Sequence, residues 1–226
     1  MKKYELLVND TINVEGRTLY RIKALIDFGY VKAGELGGYI EKESNLSHEG
    51  NCWVSGNAQV YGYAWVSGNA WVYDNAKVYG KAMAYGDAWV FGDAWVYDNA
   101  QVYGNAMVYG NVRVFGNAQV YGNAWAYDNA HVCGNVRVCR NAIICNNAYI
   151  SSNDDYAYIH GFGSKNRTTA FFRTKDGSID VKCGCFSGTL DEFRNKVKET
   201  HGDNKYAQQY NLAIQLIECK FEIGGK

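Results

Sequence analysis

The chain has 226 residues, enough for one large domain or two modest ones with a real core. Its 23 basic and 23 acidic residues cancel, and they do so region by region: 7 to 8 before Gly50, 5 to 5 from there to Ser151, and 11 to 10 beyond. That balance excludes the broad positive field of a protein that holds duplex DNA through its phosphates, and equally a strongly acidic DNA mimic, so any electrostatic site must be local.

The opening Met1-Lys2-Lys3-Tyr4-Glu5 lacks the apolar stretch of a signal peptide, and no apolar run approaches the ~20 residues of a membrane span, so a soluble, cytoplasmic protein is expected. Tyr4 to Val8 and Thr18 to Ala24 read as short extended runs around Asn9-Asp10 and Glu15-Gly16, a small β-hairpin unit. Gly38-Tyr39-Ile40 and Ser44-Asn45-Leu46 carry a faint version of the pattern that follows. Residues 1–49 therefore read as a cap on the first coil of that pattern, covering an edge that would otherwise invite aggregation.

From Gly50 to Ser151 the chain repeats every six residues, 17 units without an insertion or deletion. The unit is Val-Tyr-Gly-Asn-Ala-x, as in Val102-Tyr103-Gly104-Asn105-Ala106. Alanine and valine stand two apart, so in extended backbone both point to one side and the residue between them to the other. Small alanine and β-branched valine form the interior, while Gly-Asn or Asp-Asn supplies the residues that accept positive φ at a corner. The absence of proline, with 25 glycines and 15% aromatics, fits a backbone that turns on glycine at regular intervals.

This pattern resembles the hexapeptide repeat of left-handed β-helix proteins, in which an aliphatic residue is followed four places on by a small one, as Val60 is by Ala64 and Val102 by Ala106. The resemblance implies three hexads per triangular coil, left-handed winding and a frequent habit of trimerising. The expected fold class is then mainly β: a left-handed parallel β-helix over 50–151, a small N-terminal β cap, and a C-terminal α+β domain over 152–226. With 18 residues per coil, outward positions stack roughly 4.8 Å apart in columns. One face carries Trp53, Trp71, Trp89, Met107, Trp125 and Ile143. A second carries Gln59, Lys77, Trp95, Arg113, His131 and Tyr149, and a third Trp65, Met83, Gln101, Gln119 and Arg137. An exposed aromatic column exceeds the apolar patch a soluble monomer tolerates. It is expected to be covered, either by another copy in a dimer or trimer or by the chain's own N- or C-terminal segment.

The tyrosines Tyr61, Tyr73, Tyr79, Tyr97, Tyr103, Tyr109, Tyr121 and Tyr127 read as stacking stabilisers, and Asn57, Asn75, Asn111, Asn129 and Asn147 as an amide ladder at one corner. Asp74, Asp98 and Asp128 replace corner glycines and are expected in different columns, which argues against a paired-carboxylate site. Of seven cysteines, Cys133, Cys139 and Cys145 lie six apart at equivalent repeat positions. That spacing suggests neighbouring surface positions and reduced thiols, not a disulfide framework.

After Ser151 the hexads stop. Thr168 to Thr174 and Ser178 to Phe186 read as two strands joined at Lys175-Asp176-Gly177. Thr189 with Glu192 forms a capping box for a helix to about Thr200, and Asp203 or Asn204 caps a second to about Phe221. Leu190, Phe193 and Val197 make one core stripe; Tyr206, Tyr210, Ala213, Ile214 and Ile217 make another. Cys183 and Cys185 read as buried structural thiols.

The best recognition candidate is the segment His160 to Thr169, taken as a loop, where His160, Ser164, Lys165, Asn166 and Arg167 combine cations, hydroxyls and flexible glycines suited to a phosphate or carboxylate. Arg173 joins the set if it and Lys182, on the next strand, point the same way. The competing reading is a solvated loop that docks the tail on the helix. Catalysis is not expected, nor any metal or other cofactor. The acyltransferases that share this repeat need a histidine base beside a loop thrown out from the coil, and 17 unbroken hexads leave no such loop. A zinc site of the γ-carbonic-anhydrase kind needs three histidines, whereas His131 stands alone on the helix at an outward position, read as a solvated imidazole. An open groove with His131 or His160 at its base would restore the acyltransferase reading.

The stretch Gly37 to Ser47, the Tyr-Gly-Asn-Ala units, and a tail bearing Gly163-Ser164-Lys165-Asn166-Arg167-Thr168-Thr169 and Cys183-Gly184-Cys185-Phe186 together resemble proteins carried by phages and prophages. That resemblance implies a non-enzymatic accessory protein that binds and inhibits a bacterial protein or ribonucleoprotein, such as a host-defence complex of the CRISPR type. A nucleotide held by the tail segment is the second ligand reading.

Overall fold

A computed structural model describes residues 1–222. Every hexad from Trp53 to Ile150 contributes a two-residue strand whose first residue faces out and whose second faces in. Strands 18 residues apart pair in parallel, as Trp53 with Trp71 and Gln101 with Gln119. Three strands make one coil, and the three walls stack about six coils high. The chain is thus a parallel β-solenoid, with the face assignments the period demands. Backbone N–H groups donate from each coil to the next, for example Trp53 N to Ala70 O at 3.1 Å and Ser55 N to Val72 O at 2.9 Å.

The interior follows the alanine–valine rule with almost no exception: Ala58, Val60, Ala76, Val78, Ala94 and Val96 are all fully buried, and so are their equivalents in the other coils. The corners use positive φ, mostly on glycine. At Gly104 (φ +69) an added Cβ would lie 3.0 Å from the backbone N of Gly122 one coil on, so both the conformation and the space favour glycine. Asp74, Asp98 and Asp128 adopt the same φ near 60°. Each repays the strain with a hydrogen bond along the stack: Gly92 N donates to Asp74 Oδ2, Gly116 N to Asp98 Oδ2 and Asn146 N to Asp128 Oδ2, all at 3.2 Å. One sequence expectation is corrected here. Asp74 and Asp128 do share a column, but Gly92 and Gly110 separate them, so they are too far apart to act as a carboxylate pair.

Amide ladders form at all three corners, not one. Asn57 donates to Asn75 and Asn111 to Asn129, at 3.4 and 3.0 Å. Asn69 donates to Asp87 and Asn105 to Asn123 at a second corner, and Asn99 to Asn117 at the third. Beside them run three aromatic stacks, Tyr61–Tyr79–Tyr97–Phe115, Tyr73–Phe91–Tyr109–Tyr127 and Tyr85–Tyr103–Tyr121, with centroids 4.7 to 5.1 Å apart and planes within 7°. Burial raises the phenol pKa of Tyr61 and Tyr79 to about 12, so these rings stay neutral. Cys133, Cys145 and Cys139 take the place of the next ring in the three stacks. They therefore lie on three different corners, and Cys133 and Cys145 are buried, which corrects the expectation of neighbouring surface thiols. All seven cysteines are unpaired.

The cap hairpin Tyr4–Val14 and Arg17–Ala24 turns on Glu15-Gly16, and its second strand pairs with Leu36–Ile40. Leu36–Ile40 in turn joins the solenoid in parallel, Tyr39 opposite Gln59 and Ile40 opposite Val60, while Leu46 bridges to Val66. The faint hexads before Gly50 are thus a real first coil, two residues longer than the rest because eight residues instead of six separate Leu46 from Val54. Lys3 seals this end. Although only 2% exposed, its ammonium donates to Cys52 O at 2.9 Å and Gly50 O at 3.3 Å.

The tail is a four-stranded antiparallel sheet, Tyr156–Phe162, Arg167–Arg173, Ile179–Cys183 and Phe186–Thr189, followed by helices α1 (Leu190–His201) and α2 (Lys205–Lys220). Two corrections follow. Residues 156–162 form a strand, so His160 is not in a loop. The second predicted strand is broken by a two-residue turn at Gly184-Cys185, because Cys183 pairs with Phe186. Cys183 is then half-buried and Cys185 exposed, not two buried thiols on one face. The Thr189/Glu192 capping box forms as expected, and of the two candidates Asp203 and Asn204 it is Asn204 that caps α2. The sheet lies between solenoid and helices. Ala170 and Phe172 on one face belong to the solenoid core, while Phe171 and Val181 on the other pack with Phe193, Tyr210 and Ile214. Among the described residues no helix is long and apolar enough to cross a membrane.

Candidate functional site

The aromatic column exists in the predicted order, each residue paired with the next: Trp53, Trp71, Trp89, Met107, Trp125, Ile143. Its two ends are covered by the chain itself. Trp53 is fully buried, with Phe28 against it edge-on at 5.4 Å and Tyr4 at 6.3 Å, and Tyr30 meets Trp71 at 6.4 Å. At the other end, Trp125 and Ile143 form one side of an open crevice whose other side is the tail. Between cap and tail the middle stays open: Trp89 is 45% and Trp125 41% exposed, and Met107 is half-buried. One edge of this window is the Asn69–Asp87 and Asn105–Asn123 amide ladder; the other is the Tyr73–Phe91–Tyr109–Tyr127 stack.

The second wall is built differently. Lys77 and Arg113 sit above and below Trp95, 4.9 and 5.0 Å from its ring, a cation–π sandwich that occupies both charges. His131 follows in the column, with its ring edge-on to Tyr149 at 5.9 Å. Its imidazole is partly buried, not freely solvated, and burial, then Arg113 and Lys175, lower its pKa below 6.5.

The tail segment singled out by the sequence is divided between two clefts because alternate residues of a strand face opposite ways. Ser164, Lys165 and Arg167 face the helices and, with Phe186 and with Phe193, Lys196, His201 and Tyr210 from α1 and α2, line a cleft of about 260 Å³. His160, Asn166 and Thr168, with Lys182, face the solenoid across the crevice of about 420 Å³ that contains Trp125, Tyr127 and Ile143; Arg167 reaches both. His160 Nδ1 lies 2.8 Å from Thr168 Oγ1, and among the described residues that is the ring's one hydrogen bond. The crevice is the kind of opening that would readmit an acyltransferase. However, among the described residues no carboxylate or carbonyl bonds this imidazole to fix its tautomer, as one ordinarily does for a histidine base. Among the described residues no three histidine, cysteine or acidic side chains converge as a metal would require.

Arg173 does not belong with the others. Ala170 lies opposite Lys182, and Arg173 is three residues from Ala170, so Arg173 and Lys182 point to opposite faces of the sheet. The Arg173 guanidinium instead stacks on Phe221 at 5.4 Å, pairs with Asp155 at 3.4 Å and donates to Gly177 O and Phe221 O. It fastens α2 to the end of the solenoid, which removes it from the ligand set. Sequence reasoning missed Lys196, His201 and Tyr210. Their helices could be read, but the direction from which they meet the hairpin could not.

Fold and surface together define a class: a repeat β-solenoid with a partly covered aromatic wall and an appended α+β unit. A family described as "YdcK Beta solenoid repeat" matches residues 100–116 and 108–122, inside the hexad region. No curated protein matches the chain.

Proposed function

We propose that the protein is a non-enzymatic binding scaffold that holds a bacterial protein partner on the open window of its aromatic wall. The observation that carries this reading is the uncovered run Trp89–Met107–Trp125, held rigidly between cap and tail. A small aromatic centre with a polar edge is the anatomy of a non-obligate interface, whereas permanent homo-oligomers bury more uniformly apolar surfaces. The three stretches that form this side, residues 84–93, 102–111 and 120–129, contain no lysine or arginine. Cations adjoin the window only at its tail end, where Arg167 and Lys182 line the crevice beside Trp125, so a phosphate backbone would find no counter-charge along the wall itself, which favours a protein, or the protein part of a ribonucleoprotein, as partner. The resemblance to phage-carried proteins points to a host-defence complex inside a bacterial cell, with the scaffold acting by occupying it.

The test compares the wild-type chain with Trp89→Ala/Met107→Ala/Trp125→Ala as baits in bacterial extract, with circular dichroism showing both folded. The wild type is expected to retain a defined partner that the triple variant loses. Equal recovery by both would overturn the reading. If light scattering finds a dimer or trimer that the variant reduces to monomers, the window is a contact between copies of this chain instead.

A further inference from the structure

We infer that the helix-side cleft of the tail binds a small organic phosphate carrying a flat apolar ring. Three elements meet there: the hairpin turn with Lys165 and Arg167, the Gly184-Cys185 turn, and the α1 face with Lys196. No aspartate or glutamate among the described residues lines the cleft. Among the described residues Lys165 and Arg167 form no ion pair, and Lys196 pairs only with Glu199 on the exposed side of its own helix, a contact worth little in water. Arg21, Arg173 and Arg194 pair with Asp10, Asp155 and Glu218, whereas Arg137 and Arg140 stand exposed on the solenoid and, among the described residues, form no ion pair. Lys165 and Arg167 differ from those exposed arginines in lining a concave cleft together, where no ion pair among the described residues uses their charge.

Their placement is also specific. Gly184 adopts φ +59, and a Cβ there would come within 2.7 Å of Arg167 Nη1, so this turn leaves the guanidinium room to lie across it. The hairpin turn is fixed from below: Gly163 N donates to Gln209 Oε1 of α2 at 2.8 Å, and Gly163 has no room for a Cβ against Tyr210. Both cations are thus carried on a turn whose base does not move freely. A planar fork, a point charge and the Ser164 hydroxyl suit a phosphate better than a single carboxylate. The floor is aromatic. Phe193 lies 5.2 Å from Phe186 in a tilted pair and 5.5 Å from Tyr210 edge-on, a surface for a ring. At about 260 Å³ the cleft lies just below the usual range of ligand sites, which limits the ligand to a mononucleotide or smaller with one phosphate group.

Titration calorimetry with phenyl phosphate and with uridine 5′-monophosphate tests this on the full chain. Saturable binding of at least one is expected, with inorganic phosphate and benzoate each weaker by about tenfold or more, since each lacks one half of the recognition. Arg167→Ala should weaken the bound probe by about tenfold at an unchanged melting temperature, and Lys182→Ala, on the opposite face of the sheet, should leave it unchanged. The exposed Cys185 thiol lines the cleft, so the bound probe should slow its alkylation. Absence of saturable binding by either probe, or equal affinity in Arg167→Ala, would overturn the proposal. Equal affinity for inorganic phosphate would remove the ring from it.

Discussion

In the solenoid a buried position holds alanine or valine and meets near copies of itself in the coils above and below, whereas the tail buries Phe171, Phe193, Tyr210 and Ile214 each once, against different neighbours. The first arrangement is specified locally. Each coil needs only the coil before it, and the corner geometry recurs at every sixth residue. The second depends on contacts between segments far apart in sequence, such as Phe162 with Tyr210 and Phe171 with Phe193. The comparison teaches where recognition can be placed. The regular region supplies a rigid wall, and the irregular region supplies convergent side chains of different chemistry.

The strongest way to break the comparison is to place a charge inside the repeat. Val108→Asp buries an unpaired carboxylate in a dry interior, a cost of several kcal/mol that should prevent the solenoid from forming. If the tail is templated by the last coil, circular dichroism and limited proteolysis should show it lost as well. Phe171→Ala attacks the other region and should cost about 3–5 kcal/mol in a melting experiment. Hydrogen exchange should then show the tail sheet and helices opening while amides of the coils remain protected; uniform loss of protection would mean that the two regions form one cooperative unit.

Smaller substitutions sharpen the contrast between corners. Gly104→Ala must place a Cβ both at φ +69 and against the Gly122 backbone, while Gly177→Ala in the tail turn meets open space at φ +86. The first should cost about 1–2 kcal/mol and more than the second, as read from paired melting curves. Equal losses would mean that the coils relax apart to admit the methyl.

The smallest expected effect is pH-dependent. Burial, followed by Arg113 and Lys175, holds the His131 imidazole below its ordinary 6.5. The unfolded chain therefore takes up the proton more readily, so the wild type keeps its full stability above about pH 6.5 and loses some as pH falls through that value toward the folded-state pKa. His131→Gln should flatten this part of the melting-temperature profile, and an unchanged profile would assign the dependence to another group.

The amino-acid sequence by itself determined the solenoid: its period, the inward alanines and valines, the outward columns and both helix caps. These are consequences of local geometry, in which a side chain's direction is set by its place in a strand two residues long. Even the faint units at Tyr39-Ile40 and Leu46 could be read as part of a coil. The tertiary structure alone decided that the cap and tail cover the ends of the aromatic column and leave Trp89 to Trp125 open. It also decided that His160 faces only the solenoid-side crevice while Arg167 reaches both clefts, and that Arg173 is a fastener. Those outcomes depend on how a sheet is laid between solenoid and helices, and a one-residue change in strand boundary reverses the face on which a side chain falls. Sequence spacing does not carry that information where the repeat has ended.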